Sequence, residues 1–125
     1  VVLEQKVSTL SVIEPEVPQI AQKVVNTGNC EQYRSLVSQY DWNADIMLAI
    51  MRGESNCNSS SINWADGHNG CSGSFGVLQI ACIHFSGDQD KLDPSTNIAV
   101  AYQVWKRGGY SPWTIFSSGA YLQYM

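Results

Sequence analysis

Apolar residues recur at helical spacing in three stretches of this chain, and the interval between the second and third is dominated by Asn, Ser and Gly. Residues 31–39 suit a short helix with Tyr33, Leu36 and Val37 along one side, broken at Asp41 and Trp42. Asn43 can cap the next helix, because its side-chain oxygen accepts from an amide of the first turn that has no partner within the helix. That helix is expected from Ala44 to about Ser55, with Met47, Ile50, Met51 and Glu54 on one face. In residues 56–73 the steps Ala65-Asp66-Gly67 and Asn69-Gly70 are turn or hairpin signals, and residues 75–80 predict a short strand. After a polar stretch, Asp93 can cap a third helix whose first-turn Pro94 already has a suitable φ. Ile98, Ala101, Tyr102 and Trp105 would form its buried stripe. Gly108 and Gly109 would end it, with Lys106 and Arg107 in the last turn where cations suit the helix dipole.

The flanks read differently. Residues 1–27 are rich in Val, Gln and Glu, hold Pro15 and Pro18, and show weak periodicity apart from a short helical stretch over 18–25. They are expected to be a leader to a domain formed by residues 28–125, whose last part, 110–125, is short and aromatic. Neither internal repeats nor low-complexity tracts interrupt the chain.

A length of 125 residues fits one domain, and 44% hydrophobic with 14% charged residues is a globular balance. A net charge of −4 offers no general attraction to nucleic acid or anionic lipid, so neither is expected as a partner. The longest apolar runs, such as residues 46–51, fall far short of the ~20 that span a bilayer. With neither an initiator Met nor a basic-then-apolar signal segment, the chain looks like a mature or trimmed fragment. A monomer is expected.

Four cysteines, Cys30, Cys57, Cys71 and Cys82, lack the paired C-x-x-C spacing of a zinc site. They favour two disulfides and an extracytoplasmic, oxidising compartment. Three pairings are open to four cysteines. An antiparallel pair of the first two helices would bring Cys30 and Cys57 to the same end, which favours Cys30–Cys57 with Cys71–Cys82. No metal or other cofactor is expected: His68 and His84 with Asp66 have no ligand spacing, and Cys71 or Cys82 with His84 follows no nucleophile signature.

Glu54 carries the most chemical information. It falls on the apolar face of its helix and in the last turn, and both desolvation and the negative end of the dipole favour its protonated form. A carboxylic acid kept protonated near neutral pH can give its proton to a leaving alkoxide. Helical position alone leaves open a second reading, a surface Glu at a fraying helix end.

Neighbouring residues bear on that choice. Met51-Arg52-Gly53-Glu54-Ser55-Asn56-Cys57-Asn58, followed after the polar turn region by Ser74-Phe75-Gly76-Val77-Leu78-Gln79-Ile80, resembles the lysozyme-like superfamily, where a Glu-Ser at a helix end precedes a Gly-Leu-Met-Gln or Gly-Ile-Leu-Gln strand. Leu92-Asp93-Pro94-Ser95-Thr96-Asn97-Ile98 resembles the Asp-Pro-x-x-Asn-Ile helix start of the soluble lytic transglycosylase branch. The likeness runs from about residue 30 to the C-terminus. It implies a mainly α, α+β lysozyme-like fold, with helices around a cleft and one small β-hairpin. It also implies cleavage of peptidoglycan glycan strands between N-acetylmuramic acid and N-acetylglucosamine, with Glu54 as catalytic acid, Ser55 helping to hold it and Gln79 along the cleft floor. A glycan needs hydrogen bonds for its N-acetyl groups and apolar faces for its rings, so Gln79, Trp64, Phe75 and Tyr102 are candidate binding residues. Core packing is the plainer alternative for Phe75, Tyr102, Trp105 and Trp113.

Two departures from the family pattern shape the expected mechanism. Where animal-type lysozymes carry a second carboxylate, two residues before the strand glycine, this chain has Ser74, so a two-carboxylate retaining mechanism lacks its partner there. Asp66 stands before the strand, as does the water-positioning Asp of goose-type lysozymes, although the turn here is longer. An inverting hydrolase using Glu54 and Asp66 therefore stays open, beside the plain reading of Asp66 as an Asp-Gly turn former. Ile115-Phe116-Ser117-Ser118-Gly119 resembles the transglycosylases' Ala-Tyr-Asn-Ala-Gly, but Phe116 lacks the Tyr hydroxyl that orients the catalytic Glu, leaving Tyr102, Tyr110 or Tyr121 to supply one.

Overall fold

The structure, a computed structural model, describes residues 29–68 and 70–125, with the backbone alone for residues 66–68. The leader and the helical stretch expected over 18–25 lie outside the described residues. Among those described, α-helices α1 (Arg34–Val37), α2 (Ala44–Ser55), α3 (Pro94–Gly108) and α4 (Thr114–Ser117) pack with a three-stranded antiparallel sheet, ordered β1 (Ile62–His68), β2 (Cys71–Phe75) and β3 (Ile80–Ala81). Short 3-10 turns occupy Cys30–Tyr33, Cys82–His84 and Ala120–Tyr124. This is an α+β architecture, with one strand more than the mainly α fold and single hairpin expected from the sequence.

The locally encoded helix starts form as the caps predict. Asn43 Oδ1 accepts from Ile46 N at 3.1 Å and Asp93 Oδ2 from Thr96 N at 3.0 Å, each supplying a partner for a first-turn amide. The helix expected over 31–39 is shorter: a 3-10 turn leads into α1, and the chain swings out where the buried Trp42 indole donates to Val37 O at 2.7 Å. The cysteines pair as Cys30–Cys57 and Cys71–Cys82, with Cα–Cα separations of 5.2 and 5.6 Å.

The strand expected over 75–80 is instead two strand ends joined by a turn. Phe75 closes β2, residues 76–79 turn, and Ile80 opens β3 opposite Phe75. Gly76 at φ +79° and Gln79 at φ +50° make the reversal, and a Cβ at Gly76 would strike the side-chain amide of Asn97. Upstream, β1 pairs with β2 in the register Ile62↔Phe75, Asn63↔Ser74, Gly67↔Ser72 and His68↔Cys71. Trp64, Ala65 and Asp66 thus stand opposite Gly73 alone, so the Ala65-Asp66-Gly67 step forms a bulge within β1 rather than a turn.

The core is built from Met47, Ile50 and Met51 of α2, Val77 and Leu78 of the turn, and Ile98, Ala101 and Val104 of α3. On α3 the fully buried polar residue is Asn97, while Tyr102 and Trp105, expected in the buried stripe, are half-buried on its flank. They join a run of neighbouring rings from Tyr40 and Trp42 through Tyr102, Trp105, Tyr110 and Phe116 to Tyr121, with successive centroids 4.5–6.0 Å apart. Beneath the helix end, Gly53 admits Ile115 and Tyr124 so closely that a Cβ there would meet the Ile115 side chain. The C-terminal segment is thereby seated against α2.

Asn97 provides the sharpest test of this arrangement. Its Oδ1 accepts from Leu78 N at 3.0 Å, and its Nδ2 donates to Phe75 O at 2.8 Å and Lys91 O at 3.0 Å. Replacing it with Ala leaves three backbone groups without those partners, at ~1–3 kcal/mol for each buried one. Asn97→Ala is expected to destabilise the protein by about 3 kcal/mol or more, measured by urea denaturation; a change below about 1 kcal/mol would mean that these bonds do not secure the turn.

Candidate active site

Glu54 lies in the last turn of α2, half-buried, just before the helix stops. The stop is abrupt: Asn56 and Cys57 both take left-handed backbone angles, φ 53° and 61°, and Cys57 is at once bridged to Cys30. Ser55 adds a third restraint, since its Oγ donates to Val77 O at 2.7 Å and lies 3.3 Å from Met51 O. The end of α2 is therefore pinned to the 76–79 turn by the residue next to Glu54.

Glu54 faces a cleft of about 450 Å3. Ser74 of β2, Ile80 and Ala81 of β3, and His84 line it on the sheet side; Val104 of α3 and the Pro112–Thr114 segment line it elsewhere, with Gln79 between them. The pairing Ser74↔Ala81 places these two neighbours together on the wall. Ser74 is buried, at 5% exposure, so it offers the cleft a largely enclosed hydroxyl. Gln79 is held by its own amide, whose Nε2 donates to Ser61 O and Gly76 O, both at 3.0 Å. Trp113 contributes apolar surface while its indole donates to Leu78 O at 3.0 Å.

Of the residues singled out from the sequence, Glu54, Ser74 and Gln79 come together around this cleft, and Ser55 supports it from behind. Phe75 and Tyr102 do not line it. Phe75 points to the other side of the sheet from Ser74, where it meets Trp64 edge-on at 5.4 Å, Phe85 at 6.5 Å and the Lys91 ammonium at 5.6 Å. Strand alternation separates it from its neighbour in this way. Trp64, at 66% exposure, shares that far side. Tyr102 stacks on Tyr40 at 4.5 Å and donates its hydroxyl proton to Asp41 at 2.7 Å, and this hydrogen bond holds the phenol above its ordinary range.

Asp66 belongs to β1 by its backbone, and its side chain lies outside what is described. Phe116 is enclosed between Tyr110 and Tyr121, with centroids at 5.0 and 4.7 Å. Tyr110 accepts the Asn43 amide proton at 2.8 Å, far from Glu54 along α2. Among the described residues none of Tyr102, Tyr110 or Tyr121 lines the cleft. Thr114 does, and so does His84; neither had been assigned a place there. His84 follows Cys82 by two positions, so the Cys71–Cys82 pairing itself was the signal that places it beside the hairpin.

A second hollow, of about 280 Å3, lies against the opposite face of α2, at Asp45, Leu48, Ala49 and Arg52. Three of its charges form one network: Arg34 bridges Glu31 at 2.7 Å and Asp45 at 2.9 Å, and the hydrogen bond from Arg34 holds the Glu31 carboxyl below its ordinary range, while the Arg52 guanidinium lies 6.0 Å from the centre of the Tyr124 ring. It has the chemistry of an exposed ion-pair network. Among the described residues no group of three or more His, Cys, Asp or Glu could hold a metal ion, and no helix is long and apolar enough to cross a membrane.

Compared with protein families, with curated proteins and with solved structures, the chain finds no match in any of the three.

Proposed function

We propose that this chain has a lysozyme-like architecture and cleaves peptidoglycan glycan strands between N-acetylmuramic acid and N-acetylglucosamine, with Glu54 as the proton donor. The observation that carries this reading is the placement of Glu54 at a stiffened helix end facing a 450 Å3 polar cleft, with Ser74 and Gln79 across from it. An open, polar recess suits a chain of sugars better than a small apolar ligand. The two disulfides fit an oxidising compartment outside the cytoplasm, where such strands are found.

The chemistry follows from what lines the cleft. Among the described residues that line it Glu54 is the carboxylate, and on this reading it manages both proton transfers. Glu54 protonates the glycosidic oxygen as the bond to C1 of the muramic ring breaks. The substrate's N-acetyl oxygen steadies the positive charge that develops at C1. The C6 hydroxyl of the same ring then closes on C1, and Glu54, now a carboxylate, takes its proton. The product ends in 1,6-anhydro-N-acetylmuramic acid, and Glu54 is returned to its starting form.

Two experiments test the proposal. Glu54→Gln keeps the shape of the side chain and loses the acidic proton, so release of soluble fragments from purified peptidoglycan is expected to fall at least ~100-fold. Full release by that variant would remove Glu54 from the chemistry, and saturable binding by the native chain with no release at all would make it a glycan-binding module instead. Mass spectrometry of the digest decides the route. Muramic ends lighter by one water, together with unchanged activity in Asp66→Asn, are expected. Reducing ends with an inactive Asp66→Asn would replace cyclisation by hydrolysis, in which Asp66 activates a water across a gap of roughly 6.5–9.5 Å.

A further inference from the structure

The helical side of the cleft is apolar except at one point. Among the described residues that line it there, Val104, Pro112 and Trp113 present apolar surface, and Thr114, exposed at the first position of α4, presents a hydroxyl. The Trp113 indole N–H is already given to Leu78 O at 3.0 Å. The Thr114 hydroxyl makes no hydrogen bond among the described residues, although a Thr near a helix start often turns its hydroxyl onto nearby backbone. A donor held in the wall in this way is available to a ligand.

Its direction is fixed by its neighbours. Successive residues of a helix point about 100° apart, and in α4 each of the first three meets a different part of the fold. Phe116 enters the aromatic run between Tyr110 and Tyr121, Ile115 packs against Gly53, where no side chain keeps it off, and Thr114 is left facing the cleft. The start of α4 is braced as well: Phe116 N and Ser117 N both donate to Trp113 O, at 2.9 and 3.2 Å, and Ser118 N donates to Thr114 O at 2.9 Å. Gly53 is the residue before Glu54, so its contact with Ile115 sets the Thr114 hydroxyl beside the end of α2 that carries the carboxylate.

We infer that the Thr114 hydroxyl orients the C6 hydroxyl of the muramic ring for attack on C1, so that Thr114 decides how much of the product is cyclised rather than hydrolysed. This rests on the glycan-cleaving reading of the same cleft. In that reading O6 comes within hydrogen-bond reach of the Glu54 carboxylate, and so to the corner that Thr114 shares. The hydroxymethyl group turns about its C5–C6 bond among staggered positions, and cyclisation uses the one that carries O6 over C1. One lone pair of O6 accepts a hydrogen bond from Thr114, which keeps its proton; the other forms the bond to C1 while the O6 proton passes to Glu54. Without that hold a water takes the place of O6: its oxygen bonds C1, its proton passes to Glu54, and the muramic end is reducing. Thr114 touches the substrate but moves no proton.

The test compares Thr114→Val, which keeps the shape of the side chain and removes the hydroxyl, with Thr114→Ser, which keeps the hydroxyl. Both are assayed beside the native chain on soluble, uncrosslinked glycan strands, reading kcat, KM and, by mass spectrometry, the ratio of anhydro to reducing muramic ends. The orientation matters only as O6 closes on C1, so Thr114→Val is expected to lower kcat about fivefold with KM nearly unchanged, the range for one neutral hydrogen bond made in the transition state. The share of reducing ends should rise with it. Thr114→Ser should recover most of both. An unchanged anhydro-to-reducing ratio in Thr114→Val would overturn the inference and leave the role of Glu54 intact, and so would a ratio that shifts equally in Thr114→Ser, the mark of a packing effect. A native chain that yields reducing ends alone, or no fragments, would overturn the inference together with the cyclising reading of the cleft.

Discussion

The buried turn at residues 76–79 is the constraint on which the rest of the structure depends. It runs through the core, with Val77 and Leu78 fully buried, and in such a place a backbone amide or carbonyl without a partner costs ~1–3 kcal/mol. Several of these groups are met by residues distant in the chain. Gly76 N donates to Ser61 O, Phe75 O and Leu78 N are bound by Asn97, Val77 O accepts from Ser55, and Leu78 O accepts from Trp113. The loop before the sheet, the end of α2, the start of α3 and the entry to α4 therefore converge on four residues. The cleft is the space left between those elements, so its shape is set by the turn's need for hydrogen bonds.

What the sequence made legible, and what it hid, divides along the same line. Helix starts at Asn43 and Asp93 are local events, decided within four residues by a side chain and an amide, and both were readable. The cysteine pairing was readable as well, because it follows from two adjacent helices turning back on one another. The run Phe75-Gly76-Val77-Leu78-Gln79-Ile80 was not: its apolar residues have strand character, and only Ser55, Asn97 and Trp113, distant in sequence, convert it into a turn. In the candidate site, Glu54, Ser74 and Gln79 were found through motif and helical face. Phe75 and Tyr102 were misplaced because an aromatic residue carries the same signal in a core as on a binding surface, and the pleat and the aromatic run decided otherwise. His84 carried only an indirect signal, its place two residues after Cys82 of a readable bridge.

The aromatic run explains how this chain can carry Phe116 at a position where its resemblance suggested Tyr. Packed between Tyr110 and Tyr121, the ring belongs to a line of contacts reaching back to Tyr40 and Trp42, each pair worth roughly 0.5–1.5 kcal/mol beyond its buried area. The neighbouring hydroxyls have tasks in the frame: Tyr110 accepts the amide of Asn43 at the start of α2, and Tyr102 donates to Asp41. These rings act as packing and bracing for α2 and α3. Restraint of Glu54 itself comes from the other side, through the Ser55 hydroxyl and the bridge at Cys57.

A frame this small has little stability to spend on an open cleft, since a body of about 100 residues buries only some two-thirds of the surface its unfolded chain exposes. The two disulfides offset that weakness where the cleft creates it. They close loops with sequence separations of 27 and 11, each worth about 3 kcal/mol on a loop-closure account. Their positions matter as much as their energies: one fastens the chain three residues beyond Glu54, and the other fastens it two residues before His84. Left to hydrophobic burial alone, these two walls would be the first to loosen, because Asn56 is exposed and the residues following His84 are largely solvated. On the proposed chemistry a loose wall is costly, since one carboxylate must meet first a glycosidic oxygen and then a C6 hydroxyl from a single position. Covalent ties at the edges of the cleft let a protein with a modest core hold that position while keeping the cleft between them open.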